Sequence, residues 1–299
     1  MKSLLKRWAE RALVISGAAC IARRGVRQRS LVLAYHNIVP RGLTVHGDSS
    51  LHLLRDDFRR QLDALVQTHD VVPLRELFDA SKITRKPPAV ITFDDAYEGA
   101  ITAGVDELLE RGIPATIFVA PALLGRTTWW DQLADSKTGV VSHQERTRAI
   151  ETLGGHSEVI LKRVGSPGAD PLLPRIGTES ELRSIATKPG ITLGSHSWSH
   201  PNLCRLSAIE LEIELRRPLE WLVARHITTL PWLSYPYGLF NSAVEEAARK
   251  AGYEGTLRID GGWVHRSRSS LFGIPRLNIP SGLSIDGFRL RLAGFGAAR

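Results

Sequence analysis

The run AVITFDDAYEGAITAGVDELLERGIPATIFVA, residues 89–120, decides the fold. It opens with Ala89–Asp94 and closes with Ala115–Ala120, two near-continuous apolar runs without the alternation of a half-buried strand. Strands that are apolar on both faces are buried on both, as in a parallel sheet covered by helices. Between them, Gly99–Arg111 carries a helical pattern that stops at Gly112, a glycine just past a basic residue. The unit is strand, helix, strand.

Outward from this stretch the unit recurs. Further strands are expected at Leu31–Ile38, Thr192–His196, Trp232–Tyr235, Gly255–Ile259 and Gly273–Ile279. Helices are expected at Asp57–His69, Ala208–Arg225 and Asn241–Ala251. About seven parallel strands alternating with helices predict an α/β chain folded as a (β/α) barrel rather than an open sheet. Residues 122–190 break the rhythm. They hold no clear strand, begin near Trp129-Trp130-Asp131 and carry a glycine- and proline-rich loop at Gly165–Pro174. So long a connection predicts a helical insertion covering one mouth of the barrel.

The chain of 299 residues, 43% hydrophobic and 23% charged, is long and apolar enough for one sizeable core, which excludes a disordered or fibrous protein. No apolar run approaches the roughly eighteen residues of a spanning helix. The two cysteines, Cys20 and Cys204, lie far apart and exclude a disulfide scaffold or a multi-cysteine zinc site. Any metal must therefore rest on His and carboxylate. The net charge of +8 is concentrated: residues 1–30 carry +7 and residues 31–299 only +1. A nearly neutral body has no net drive toward a phosphate backbone, so nucleic acid is not an expected partner.

Residues 1–30 hold Lys2, Lys6, Arg7, Arg11, Arg23, Arg24, Arg27 and Arg29 against Glu10 alone, around the apolar stretch 12–22. That stretch has the length of a signal-peptide core, but the arginines on its far flank oppose translocation and no clean small-x-small cleavage site follows. A lipoprotein reading at Cys20 meets Gly17 where a branched apolar residue is wanted. Leu5, Trp8, Ala12, Ile15 and Ala19 recur at helical spacing beside Lys and Arg. The expectation is a basic amphipathic helix on an anionic membrane surface, peripheral to an inner membrane, with its side left open. Residues 31–299 then form the barrel domain. The bland alternative is a solvated helix packed on that domain.

Three clusters fall at carboxyl ends of expected strands, where a parallel barrel keeps its active site. The first is Phe93-Asp94-Asp95, two adjacent carboxylates that repel and want a cation, or simply a helix cap. The second is Gly194-Ser195-His196-Ser197-Trp198-Ser199-His200-Pro201, whose two imidazoles can meet at one point. With a strand-end Asp it gives a His-His-Asp set, three ligands with an open position, as in catalytic zinc sites. The third is Tyr235-Pro236-Tyr237-Gly238, a rigid turn whose backbone amide at Tyr237 can face a developing oxyanion.

Thr-Phe-Asp-Asp, His-Ser-x-Ser-His-Pro and Tyr-Pro-Tyr-Gly, in this order, resemble the polysaccharide deacetylase family (carbohydrate esterase family 4), over roughly residues 31–280. The resemblance implies a distorted (β/α) barrel and hydrolysis of N-acetyl groups on amino sugars. It implies Asp94 as general base, and Asp95, His196 and His200 as ligands of a divalent metal. Zinc is the default; Co2+, Ni2+, Mn2+ or Fe2+ fit the same donors. Tyr237 is implied as oxyanion donor, and Trp198, Pro236 and Tyr237 as substrate-binding residues.

The chain departs from better-known members in two ways. Ser234 stands where many carry an arginine that braces the base, and Arg276, in Ile-Pro-Arg-Leu, is expected to supply the guanidinium. No His follows Arg276, so the family's usual leaving-group acid is missing. His36, in Ala-Tyr-His-Asn, is expected to face the same mouth and resembles a Tyr-His of the branch acting on exopolysaccharides; His265 is a lesser candidate. Trp129, Trp130, Trp198 and Trp263 are the candidate sugar platforms, each equally readable as packing. The expected substrate is an N-acetylated bacterial polysaccharide or its lipid-linked precursor. Hydrolysis of another amide or an O-acetyl ester, and catalytically weak carbohydrate binding, are the alternatives.

Overall fold

The computed structural model describes residues 2–26, 29–79, 84–165, 170–227, 229–265 and 270–295. Its main sheet is built on β1 (Arg29–Tyr35), β2 (Pro88–Phe93), β3 (Ala115–Val119), β4 (Ile191–Ser195), β5 (Thr229–Ser234), β6 (Gly255–Arg258), β7 (Trp263–His265), β8 (Ile274–Pro275) and β9 (Leu277–Asn278). β1 to β6 pair in sequence order, all parallel, and β8 adds in parallel to β6. Two residues on, β9 pairs in parallel with β1, Leu33 opposite Leu277 and Ala34 opposite Asn278. The stretch Ile274–Asn278 thus bonds to β6 with one half and to β1 with the other, closing the ring. The expected seventh strand is this one, split at Arg276. β7 is the distortion: it pairs antiparallel with the first residues of β1, wedged in at the amino end.

Period-two alternation sorts the strand residues. Val32, Val90, Phe118, Trp232, Leu257 and Ile274 form one buried cluster in the barrel interior. Glycines face its large rings: a Cβ on Gly194 would lie 2.6 Å from Phe118, and one on Gly255 2.6 Å from Trp232. The alternate residues, among them Leu31, Leu33, Ile91, Phe93, Ile117 and Leu193, pack outward in the main core. The helices over that outer layer are α3 (Arg55–Thr68), α4 (Val105–Glu110, entered through a π-turn at Ala100–Gly104), α5 (Ala208–Ala224), α6 (Ser242–Ala251) and α7 (Ile285–Leu292). α5 starts at a Ser207–Glu210 capping box, and α6 ends at Gly252 with φ 95°.

Between β3 and β4 the chain runs through short helices at Trp129–Leu133, His143–Thr147, Ser157–Val164 and Glu179–Ala186. The Gly165–Pro174 loop falls partly outside the described residues. Before the barrel stand α1 (Lys2–Ile15) and α2 (Ala18–Gly25). The single helix expected there is two, because Gly17 turns the chain with φ 78°. Ala19 accordingly leaves the exposed stripe and is buried against Leu290 and Ala293. Arg27 lies outside the described residues.

Candidate active site

Asp94 and Asp95 follow β2, His196 follows β4, and the Pro236–Gly238 turn follows β5, all at the carboxyl end of the barrel. Backbone strain concentrates there. Among the described residues six non-glycines have φ in the left-handed region, and five of them are Asp95, Ala96, Ser197, His200 and Tyr237. Each such conformation costs about 1–3 kcal/mol and survives only where the surroundings impose it, most often at functional sites.

Asp95, His196 and His200 converge as the sequence suggested. Asp95 Oδ1 stands 3.6 Å from His196 Nε2 and 3.5 Å from His200 Nε2, and the two Nε2 atoms are 3.1 Å apart. Ligand atoms each ~2.0–2.1 Å from a tetrahedral ion are roughly 3.3 Å from one another. His196 Nδ1 donates to the Ser234 carbonyl at 2.7 Å, which leaves its Nε2 as a bare lone pair aimed at the cluster. Asp95 Oδ1 is buried with no hydrogen-bond partner among the described residues. Burial, and then the charges of Asp94 and Asp131, push the Asp95 carboxyl well above its ordinary value. Burial likewise pulls both imidazoles down, His200 well below. A carboxylate oxygen and two imidazole nitrogens converging here, the oxygen orphaned and His196 Nε2 bare, fit a divalent cation.

Asp94 is treated in the opposite way. Arg276 grips both its oxygens, Nη1 to Oδ1 at 2.8 Å and Nη2 to Oδ2 at 2.7 Å, with both side chains almost wholly buried. The guanidinium also donates to Thr92 Oγ1 at 3.0 Å and Ser234 Oγ at 2.7 Å. Burial alone would raise the Asp94 carboxyl, but the charge and hydrogen bonds of Arg276 overcome it and hold it well below the ordinary range. Arg276 therefore grips Asp94 directly and on its way bonds to Ser234, the residue standing where an arginine is expected.

His36 lies two residues past Ala34 and is coupled electrostatically to Asp94, Arg276 and His196; burial first of all lowers it to about 4. Tyr237 has φ 58°, and its amide makes neither hydrogen bond of its turn, which come from Gly238 and Leu239. Its hydroxyl accepts from Trp129 Nε1 at 3.1 Å and donates to the His200 carbonyl at 3.1 Å. Pro236 is buried, so what it offers is the shape of the turn. Trp198 is half-buried with one face under the Arg217 guanidinium, 3.8 Å from the ring centroid.

The other aromatic candidates move. Trp129 and Trp130 are buried, and Trp130 packs on the His200 ring at 5.0 Å, supporting that imidazole rather than meeting a sugar. Trp263 and His265 lie on β7, opposite Leu31 and Arg29, at the far end of the barrel from the site.

Two groups escaped the sequence reading. Glu214, on α5, accepts from the amides of Trp198 and Ser199 at 2.9 Å each and from Ser199 Oγ at 2.6 Å, clamping the loop between the two imidazoles. Asp131, buried, accepts from His52 Nε2 and the Asp48 amide at 2.8 Å each, Tyr97 Oη at 2.6 Å and Thr128 Oγ1 at 2.8 Å. Tyr97 in turn accepts from Trp130 Nε1 at 2.7 Å. A helical Glu in Ala208–Arg225 and the Asp after Trp-Trp were the only signals. Beside this network a cavity of about 270 Å³, lined by Asn37, His46, His52, Glu98 and Arg175, opens to the surface.

A family model described as polysaccharide deacetylase matches residues 81–256, more than half of the chain. Among solved structures, the deacetylase PplD of Streptococcus pyogenes in complex with acetate is 16% identical with a TM-score of 0.60, covering 87% of this chain and 96% of its own. IcaB from Ammonifex degensii is 17% identical with a TM-score of 0.63, covering 89% and 96%. A de-N-acetylase from Aggregatibacter actinomycetemcomitans is 14% identical with a TM-score of 0.57, covering 87% and 98%. At these identities the likeness is one of fold. No curated protein matches the sequence.

Proposed function

The chain belongs to the polysaccharide deacetylase family, hydrolases acting on amides, and from that premise we propose that it is a metal-dependent N-deacetylase of an amino-sugar polysaccharide, working through Asp94, Asp95, His196, His200, Arg276, Tyr237 and His36. The observation that carries this reading is the pairing, at one strand end, of a guanidinium-gripped Asp94 with an Asp95 oxygen, orphaned among the described residues, that faces the Nε2 atoms of His196 and His200.

Asp95, His196 and His200 would hold the cation. When bound, such an ion supplies Lewis acidity, polarising the acetamide carbonyl and lowering the pKa of water toward about 7. Asp94, kept ionised by Arg276, accepts the proton of the attacking water. Its low basicity is the cost of that grip, and Arg276 also fixes the direction of its lone pairs. The Tyr237 amide donates to the oxygen that gains charge as water adds to the carbonyl carbon. The carbon–nitrogen bond then breaks, and His36 relays a proton to the departing amine, leaving acetate and a free amino group. Acetate in the Streptococcus pyogenes relative is in keeping with that product. The cavity beside His52 adjoins His36 through Asn37 and would take part of the sugar chain.

The test is elemental analysis of the purified protein, paired with acetate release from N-acetylglucosamine oligomers before and after chelation. Bound metal with release that chelation abolishes and metal restores is the expected result. Release that survives complete chelation, or a protein that takes up no metal, overturns the reading.

A further inference from the structure

α1 is amphipathic in the sense opposite to a helix that merely packs on a domain. Its inward edge is Glu10, which accepts from Ser284 Oγ at 2.6 Å, and Val14, which packs on Leu290 and Ala293. Its outward stripe is apolar. Leu5, Trp8 and Ile15, which with Ala12 recur at helical spacing, are 66%, 71% and 73% exposed, and Ile21 on α2 is 68% exposed. Arg7 and Arg11, both exposed, border the stripe and have no ion-pair partner among the described residues. A groove of about 420 Å³ runs beside them, lined by Arg7, Trp8, Arg11 and Ser281 together with Asp286 and the Arg60–Asp57 ion pair. No described helix is long and apolar enough to cross a membrane.

An exposed apolar stripe bordered by arginines is the chemistry of a helix lying in the headgroup layer of an anionic bilayer, rings and branched chains among the acyl ends and guanidinium groups on phosphates. A soluble partner would leave the unpaired arginines needing a matching acidic surface. The position of the helix pair adds to this. Glu10 meets the amino end of α7, whereas Ala19 meets its carboxyl end, so the pair runs along the barrel wall. Its groove reaches Ser281, whose amide bonds to the Ser50 carbonyl in the loop after β1, on the rim of the active-site mouth.

We propose that α1 and α2 dock the enzyme on an anionic phospholipid surface, side-on, with the mouth of the barrel beside the bilayer. This goes beyond the hydrolase reading and does not depend on it.

The test is co-sedimentation of the full chain with phosphatidylcholine vesicles and with vesicles containing added phosphatidylglycerol. At least roughly tenfold stronger partitioning onto the anionic vesicles, weakening as salt is raised, is expected. Trp8→Glu with Ile15→Glu should bring binding down to the level of the neutral vesicles. Arg7→Gln with Arg11→Gln, at exposed positions, should lower it by roughly tenfold and keeps the test decisive if the first variant does not fold. Equal binding to both vesicles, no binding, or indifference to both variants overturns the proposal. So does concentration-dependent self-association in ultracentrifugation that Trp8→Glu abolishes, which would make the occupant a second copy. None of these readouts involves acetate release, so their failure leaves the deacetylase reading standing.

Discussion

Asp94 and Asp95 are neighbours in sequence, 1% and 3% exposed, yet they are opposite in electrostatic state. Asp94 is closed: two guanidinium contacts satisfy both oxygens and hold the charge in place. Asp95 is open: it has an oxygen without a partner among the described residues, two like charges nearby, and a His196 imidazole presenting a lone pair rather than a proton. The difference lies in what each lacks. One carboxylate is complete as a folded side chain and is ready to take a proton; the other is stable as an anion only with a cation supplied from outside.

The largest expected effect follows from breaking the two carboxylates separately. Asp95→Ala should lose the metal and, with it, roughly 10³-fold or more in acetate release, whereas Asp94→Ala should keep the metal and lose about 10²–10⁴-fold. Elemental analysis alongside the assay separates them; metal loss in both would erase the contrast. Next comes the grip on Asp94. Arg276→Ala leaves that carboxylate buried and uncompensated, which should cost about 3–5 kcal/mol in denaturant unfolding as well as turnover. The sign of the pH effect is fixed. Asp94's depressed folded pKa gives stability present above its unfolded value and lost as pH falls through the folded one. Removing Arg276 leaves burial to raise the folded value, so this acid-driven loss should disappear and the slope reverse, stability falling as pH rises above the ordinary carboxylate value. A variant as stable and active as the parent would take Arg276 out of the site.

A finer test sharpens Asp95 itself. In chelated protein its raised pKa means that the folded state holds a proton the unfolded chain releases, so stability should fall as pH rises above the ordinary carboxylate value. Asp95→Asn should flatten that slope in thermal melts followed against pH. The smallest effect is indirect: Glu214→Gln weakens the clamp on the His196–His200 loop and should lower metal affinity by roughly tenfold with little change in fold, measured by competition with a graded chelator.

Much of this was legible in residue order. Buried parallel strands announce themselves as unbroken apolar runs, and the Asp and His residues proposed to hold a metal sit where those runs stop. The expectation that Arg276 would supply the missing guanidinium came from noticing Ser234 in an arginine's place, a vacancy that sequence can display. Glu214 and Asp131 were not legible because they act on backbone amides and hydroxyls of segments brought near only by folding; no periodicity marks such a bond. Trp129 and Trp130 failed as sugar platforms because aromatic content does not say which side of a ring faces water. The break at Gly17 was missed because helical spacing carried through a glycine that the chain uses as a hinge of positive φ.

The closing strand has one more consequence. Ile274–Asn278 completes the ring between β6 and β1, and the residue at its midpoint is the one that grips Asp94. As the chain is made, both carboxylates, both imidazoles and the tyrosine turn emerge before residue 276, so every reactive part exists while the barrel is still open. Arg276 arrives with the final hydrogen bonds of the sheet. Shutting the barrel and gripping the proposed base are therefore a single step of assembly, and a chain stopped a few residues short would carry all the family's motifs with Asp94 ungripped.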